Sequence, residues 1–485
     1  MLIFAEFNQS HSLNIKMKQL NTFICAVASS ICTLIFSPQA FAGATEKTKP
    51  NFVIILADDL GYGDLSYLGS TQIKTPNIDR LANSGVIFEQ GYVSAPVCGP
   101  SRAGLVTGRN QVNFGFDNNP IVDLPQFDEN YVGLPVAEIT IADRLAELGY
   151  INGLIGKWHL GKAEHFHPLK RGFHEFWGYL DGGHNYVPNG PDGKPYPNNI
   201  QSNFKTPQPI TYLTDDKGNE AVEFIRRHKE HPFFLFVSFN APHAPMQATE
   251  ADLTLFPQVQ DIERRTYLAM THRLDINVGR ILDELKAQKI ANNTLVVFLS
   301  DNGGPVDQNS SMNAPLNGQK GTLLEGGIRV PFSMTWPSVI EAGSRFPHPV
   351  SALDLTPTFV QLAGGNINKK DQLDGVNLYP YITGQKSDKP HDQMKWRFTI
   401  SASIREGDWK LVRLPDRLPM LYNLKEDIAE QYNVAEQHRP RVQQMLKRLG
   451  DWDITRPQVL YLEGSKWRKN QRDLYDREYQ LMQPD

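Results

Sequence analysis

The stretch Asn51-Phe-Val-Ile-Ile-Leu-Ala-Asp-Asp59 sets the reading of the whole chain. Its apolar run shows no alternation, so it predicts a strand buried on both faces, as in a parallel sheet. Two carboxylates follow at the C-terminal end of that strand. Three further runs share the plan. Thr294-Leu-Val-Val-Phe-Leu299 leads into Ser300-Asp301-Asn302-Gly303-Gly304, and Phe233-Phe-Leu-Phe-Val-Ser-Phe239 leads into Asn240-Ala-Pro-His243. The shorter Gly153-Leu-Ile155 leads into Gly156-Lys157-Trp158-His159. Helix patterns lie between them: residues 76–84 closed by Gly85, residues 140–148 closed by Gly149, and residues 264–289. In the last, Tyr267, Leu274, Val278, Ile281 and Leu285 form one stripe. This alternation predicts an α/β fold, a large, mostly parallel or mixed sheet flanked by helices. In open sheets of this class ligands bind outside the C-terminal strand ends. The polar residues that end the four runs are therefore predicted to meet.

After about Gly384 the pattern changes. Residues 398–404, 409–413 and 420–422 read as short strands of an antiparallel sheet, with a helix over 439–449 packed on it. A main domain over 43–384 and a smaller C-terminal α+β subdomain over 385–485 are expected. The 485 residues are 40% hydrophobic and 21% charged, an ordinary globular composition. The net charge of -4 lacks the basic excess of a nucleic-acid binder, so no nucleic-acid partner is expected.

The N-terminus reads as a targeting segment. From Met17 come Lys18, an apolar run from Thr22 to Phe36, and Ala40-Phe41-Ala42: a basic start, an apolar core and an A-x-A cleavage site. Residues 1–16 read as an over-long start, so residues 1–42 are assigned to the signal peptide. The run is short for a membrane span, and no stable membrane anchor is expected. Cleavage after Ala42 sends the protein to the periplasm or outside and removes Cys25 and Cys32. Cys98 then stands alone in an oxidising compartment, with no cysteine to pair with.

Cys98-Gly-Pro-Ser-Arg-Ala-Gly-Leu-Val-Thr-Gly-Arg109 is the most specific motif. Pro100 suits the first turn of a helix. Cys98 would sit at or just before the helix N-terminus, where free N–H groups favour an anion, and Arg102 could reach back to the same point. Lys157 and His159 alternate along an extended stretch, so both reach one cleft only if the backbone turns between them.

The Cys98–Arg109 segment resembles the signature of the sulfatase family. Asn51 to Tyr67, Gly156 to Gly161, Ala241 to Pro245, Ser300 to Gly304, Lys320 to Pro331 and Ile404 to Leu411 also resemble sulfatase blocks. The resemblance implies an alkaline-phosphatase-like fold and a catalytic role for residues 43–384. It implies that a maturation enzyme oxidises Cys98 to formylglycine (3-oxoalanine). It further implies that Asp58, Asp59, Asp301 and Asn302, with residue 98, hold a divalent metal. Hard oxygen donors suit calcium or magnesium rather than zinc, and one calcium ion is expected. Arg102, Lys157, His159, His243 and Lys320 would surround the sulfate: the cations neutralise it, His243 with Lys320 protonates the leaving alcohol, and His159 removes the proton that restores the aldehyde.

The loops around Asn113–Pro120 and Gly182–Asn189 most resemble those of marine bacterial carrageenan sulfatases. The expected substrate is a sulfated polysaccharide or oligosaccharide, with the 4-O-sulfate of iota-carrageenan first. His184, Tyr186 and Asp117 are the candidate sugar contacts, and Lys466, Trp467 and Arg468 could bind neighbouring sulfates. Galactosamine-6-sulfatase-like action on glycosaminoglycans, phosphonate monoester hydrolysis and non-catalytic glycan binding are the alternatives.

Overall fold

The apolar run after Asn51 forms the strand expected of it, β1 (Asn51–Ala57), with every residue buried. In the computed structural model, which describes residues 49–120, 128–461, 469 and 472–476, β1 is the centre of a nine-stranded sheet. The leader read over 1–42 and Lys466, Trp467 and Arg468 lie outside the described residues. In chain order the other strands are β2 (Val86–Phe88), β3 (Gly91–Tyr92), β4 (Ile151–Lys157), β5 (Glu175–Tyr179), β6 (Gln201–Ser202), β7 (Phe233–Ser238) and β8 (Thr294–Ser300). There follow β9 (Phe332–Thr335), β10 (Ser344–Phe346), β11 (Val350–Ser351), β12 (Gln393–Phe398), β13 (Ser401–Glu406), β14 (Trp409–Arg413) and β15 (Met420–Asn423).

The large sheet runs β10-β2-β9-β8-β1-β7-β4-β5-β6. Its central strands β8, β1, β7, β4 and β5 are parallel, while β9 and β6 run against their neighbours, so the sheet is mixed. The register sets the site. Leu56 of β1 is level with Ser238 of β7, Ala57 with Ser300 of β8, and Gly156 of β4 with Ser238. Four strands thus end at one height, as the shared pattern of the four runs predicts.

Side chains of β1 alternate between two apolar layers. Phe52, Ile54 and Leu56 join the core under the helices Cys98–Thr107, Ile141–Glu147 and Leu355–Leu362. Val53, Ile55 and Ala57 join the core under Pro76–Asn83, Leu213–His228 and Ile262–Ala287. Each large apolar side chain buried this way contributes roughly 1.5–3 kcal/mol, which anchors strands that end in buried charge.

The C-terminal strands β12 to β15 form an antiparallel sheet in sequence order. Ala402, Ile404, Leu411 and Leu421 of that sheet pack on Met445 and Leu449 of the helix Arg439–Asp453. One expectation is corrected. The run 398–404 is not one strand but the corner of a hairpin, with Thr399 at φ 53° between β12 and β13. The long helix spans Ile262–Ala287, two residues earlier than its pattern predicts, because the Asp261 side chain accepts from the N–H groups of Glu263 and Arg264.

Candidate active site

Asp58 and Asp59 leave the end of β1, and Asp59 takes a left-handed backbone, φ 65°. A non-glycine residue held there costs roughly 1–3 kcal/mol and is found mostly where function requires it. The turn separates the two carboxylates. Asp58 Oδ2 accepts from Lys157 Nζ at 2.5 Å and lies 3.4 Å from Arg102 Nη2. Asp59 Oδ2 accepts from Lys320 Nζ at 2.9 Å, and Oδ1 accepts from Asn302 Nδ2 at 2.7 Å. His243 Nε2 stands 3.5 Å from Asp59 Oδ2.

Residues from the other strand ends complete the cluster. Asp301, one step past β8, accepts from Arg102 Nε at 2.9 Å on Oδ2, and Nη2 lies 2.8 Å from the same oxygen as an ion pair. Its Oδ1 accepts the Asp59 backbone N–H at 3.2 Å. Lys157 is the last residue of β4, and His159 follows at φ 61°. That left-handed residue is the turn needed to bring Lys157 and His159 to one cleft. Cys98 is the first residue of the helix Cys98–Thr107, and its Sγ lies 3.4 Å from Asp58 Oδ1.

Burial and charge shape the site. Asp58 has no exposed surface. Burial alone would raise its pKa, but Lys157, His243 and Arg102 outweigh it and hold Asp58 well below the usual carboxylate range. Burial, with the Asp58 charge beside it, pushes Asp301 up to about 7. Burial, helped by the Asp301 charge, also drives the Cys98 thiol far up. An unmodified thiol here is a poor nucleophile, because the thiolate is the reactive form.

A family model described as Sulfatase matches residues 50–365. The chain belongs to the sulfatase family. A second model, described as N-sulphoglucosamine sulphohydrolase, C-terminal, matches residues 319–452. The chain is 34% identical to the N-acetylgalactosamine-6-sulfatase of Homo sapiens over 365 residues, 70% of this chain and 67% of that one. It is 31% identical to the steryl-sulfatase of Homo sapiens, covering 71% of each. Among solved structures it resembles Ps i-CgsB in complex with k-i-k-neocarrahexaose, with 37% identity and a TM-score of 0.79 over 90% of this chain and 99% of that one. This sulfatase is a sulfuric ester hydrolase with the fold its motifs predict.

Membership implies a formylglycine at the cysteine position and a divalent metal, and the residues present fit both. Asp58, Asp59, Cys98 and His243 bring one ligand atom each to within 4.8 Å of one another. Asn302 Oδ1 is buried and has no hydrogen-bond partner among the described residues, an arrangement a cation would satisfy. Three carboxylates (Asp58, Asp59, Asp301) face three cationic side chains (Arg102, Lys157, Lys320), so the cluster is formally neutral. A divalent cation would leave it positive, as a sulfate binder must be.

The structure therefore gathers Cys98, Arg102, Lys157, His159, His243, Lys320, Asp58, Asp59, Asp301 and Asn302. It places the candidate sugar contacts otherwise. Asp117 is buried against Arg397, which donates to both its oxygens. Tyr186 is fully buried, with its hydroxyl 2.5 Å from Asn240 O and 2.8 Å from His243 O. Interior partners occupy both, which corrects the expectation that they face a sugar. His184 lies at the edge of burial with Nδ1 on Asn185 O. Nearer the chemistry are residues that the sequence did not mark, Ser238 above all. Its Oγ accepts from Arg102 Nη1 at 2.6 Å and donates to Lys157 O at 2.7 Å. Its only signal was its place at the end of an apolar run.

Proposed function

We propose that this sulfatase desulfates a sulfated galactan of the carrageenan type, after export from the cytoplasm. The observation that carries the proposal is the match to Ps i-CgsB, solved with a neocarrahexaose, along almost the whole length of both chains. The 4-O-sulfate of iota-carrageenan is the first substrate to test. A second reading, 6-O-desulfation of galactosamine-containing glycans, draws on the curated N-acetylgalactosamine-6-sulfatase relative.

A maturation enzyme acting on Cys98 would supply an aldehyde whose hydrate offers the nucleophilic hydroxyl, and calcium held by Asp58, Asp59, Asp301, Asn302 and residue 98 would supply Lewis acidity at the sulfate. Arg102, Lys157 and Lys320 offset the charge that develops on the sulfate oxygens. Lys320 is suited to this: burial opposes its charge, but Asp59 outweighs burial and keeps the ammonium protonated. His243 directs Nδ1 to Ala244 O, so that nitrogen donates and Nε2 faces the pocket. Burial lowers the His243 pKa against the pull of the Asp58 and Asp59 carboxylates, so the ring serves the departing alcohol oxygen in the fraction that carries a proton on Nε2. His159 is suited to the opposite task. Burial, reinforced by Lys157, holds its pKa well below the ordinary histidine value, so the ring stays neutral. Its buried Nδ1 has no partner among the described residues and is available to accept a proton.

The test is sulfate release from iota- and kappa-carrageenan oligosaccharides and from chondroitin 4- and 6-sulfate, with NMR locating the lost group. Loss of the galactose 4-O-sulfate from the carrageenan oligosaccharide is expected. Release confined to chondroitin 6-sulfate would favour the second reading. Comparing 4-nitrophenyl sulfate with an aryl phosphonate separates sulfatase from phosphonate monoester hydrolase action, and calcium-dependent binding without release would mark a glycan-binding protein.

A further inference from the structure

Lys217 has no part in the scheme above, yet it lies beneath the site with no exposed surface. It sits on the inward face of the helix Leu213–His228, between Leu213 and Ala221, both fully buried. Its ammonium donates to Asn240 Oδ1 at 2.7 Å and to Ser238 O at 3.2 Å, and stands 4.9 Å from the centre of the Tyr179 ring. None of these contacts is a carboxylate. A buried ammonium without a directly bonded counter-ion costs several kcal/mol, and burial holds its pKa well below the usual lysine value. An apolar side chain of similar length would fill this space without that cost. Its contacts show what the charge holds in place.

Ser238 ends β7, and Asn240 opens the loop that carries His243. Asn240 O accepts the His243 backbone N–H at 2.7 Å. The Tyr186 hydroxyl spans Asn240 O and His243 O from the other side. An unbroken series of bonds therefore runs from the Lys217 ammonium through the Asn240 amide to the backbone of the leaving-group acid. Ser238, the other residue held by Lys217, orients Arg102 through its Oγ.

We propose that Lys217 is a positioning residue for the leaving-group acid: by clamping Asn240 it fixes the loop that aims His243 Nε2 at the departing oxygen. The proposal rests on the reading of His243 as proton donor. It predicts a dependence on leaving group, because 4-nitrophenolate departs with little protonation and phenolate needs more.

The experiment uses purified, matured full-length protein with 4-nitrophenyl sulfate and phenyl sulfate. Lys217→Met is expected to lower kcat on phenyl sulfate roughly ten-fold more than on 4-nitrophenyl sulfate, with KM unchanged for both, since general-acid help is worth about 100-fold or more. Asn240→Ala should show the same selectivity, and the double variant should be no worse than the more damaged single, because both act on one link. Equal losses on the two esters, or none, would overturn the proposal, since a structural defect scales both alike. Where Lys217→Met fails to melt cooperatively, Asn240→Ala alone carries the test with the same two esters. If the wild type releases sulfate from neither ester nor the carrageenan oligosaccharides, the assigned chemistry fails, and the inference falls with it.

Discussion

Arg102 holds all four strand ends together, its Nη2 lying 3.4 Å from Asp58 Oδ2 just past β1. Its guanidinium reaches Asp301 past β8, Ser238 at the end of β7 and the Lys157 carbonyl at the end of β4. A lysine keeps the charge but offers no planar fork. Arg102→Lys is expected to cost about 100-fold in kcat/KM, the scale of one lost charge-stabilising donor in an active site. Steady-state kinetics on 4-nitrophenyl sulfate would check this, and a loss below three-fold would show that charge alone suffices. The unpartnered Asn302 Oδ1 makes a second expectation. Chelation should lower the melting temperature as well as abolish activity, and calcium should restore both, since a ligand of the native state stabilises it by mass action. At this scale the sequence was most legible where polar residues end apolar runs, as at Asp58, Asp59, Asp301 and Asn302. It was least legible at Lys217. Flanked by Asp215 and Asp216, Lys217 looks like one charge of a solvated helix start, and only the tertiary packing of that helix turns it inward.

Strand ends need backbone freedom as well as side chains. Gly156 has φ 115°, and a Cβ there would lie 1.9 Å from Ser238 O, a backbone atom of the neighbouring strand. Gly156→Ala is expected to destabilise by about 2–4 kcal/mol, because the substituent meets main chain in a conformation alanine disfavours. A urea midpoint lowered at constant slope would confirm it. Between the helix Tyr379–Ile382 and β12, His391 Nε2 lies 2.9 Å from Asp354 Oδ2. Burial opposes its charge, but the Asp354 carboxylate outweighs burial and raises the His391 pKa. A raised folded-state value means full stabilisation below the unfolded pKa of about 6.5 and loss as pH rises through the higher folded one. His391→Gln should remove that part of the pH dependence of the urea midpoint, while an unchanged slope would show the pair to be silent. The parallel strands were readable because continuous apolar runs have few other uses. The hairpin at Thr399 was not, since residues 398–404 contain no Gly, Pro or Asn to mark a turn.

Across the whole molecule the site joins residues from Asp58 to Lys320, and the C-terminal sheet is tied to it. Lys410 of β14 is fully buried and lies 2.9 Å from both Glu325 and Glu430. Glu325 opens the short helix five residues after Lys320, so this buried ion cluster joins the C-terminal sheet to the loop that supplies a cation to the site. The sequence showed both parts but not their union, because Lys410 and Glu325 lie in separate motifs 85 residues apart. No helix among the described residues is long and apolar enough to cross a membrane. What the fold assembles is a buried, charge-balanced pocket around a thiol too weakly acidic to act as itself. The most direct test is the mass of the peptide bearing residue 98, taken from protein active on 4-nitrophenyl sulfate. The account predicts an aldehyde, or its hydrate, in place of the thiol, in proportion to specific activity. Full activity from protein whose Cys98 is wholly unmodified would contradict it.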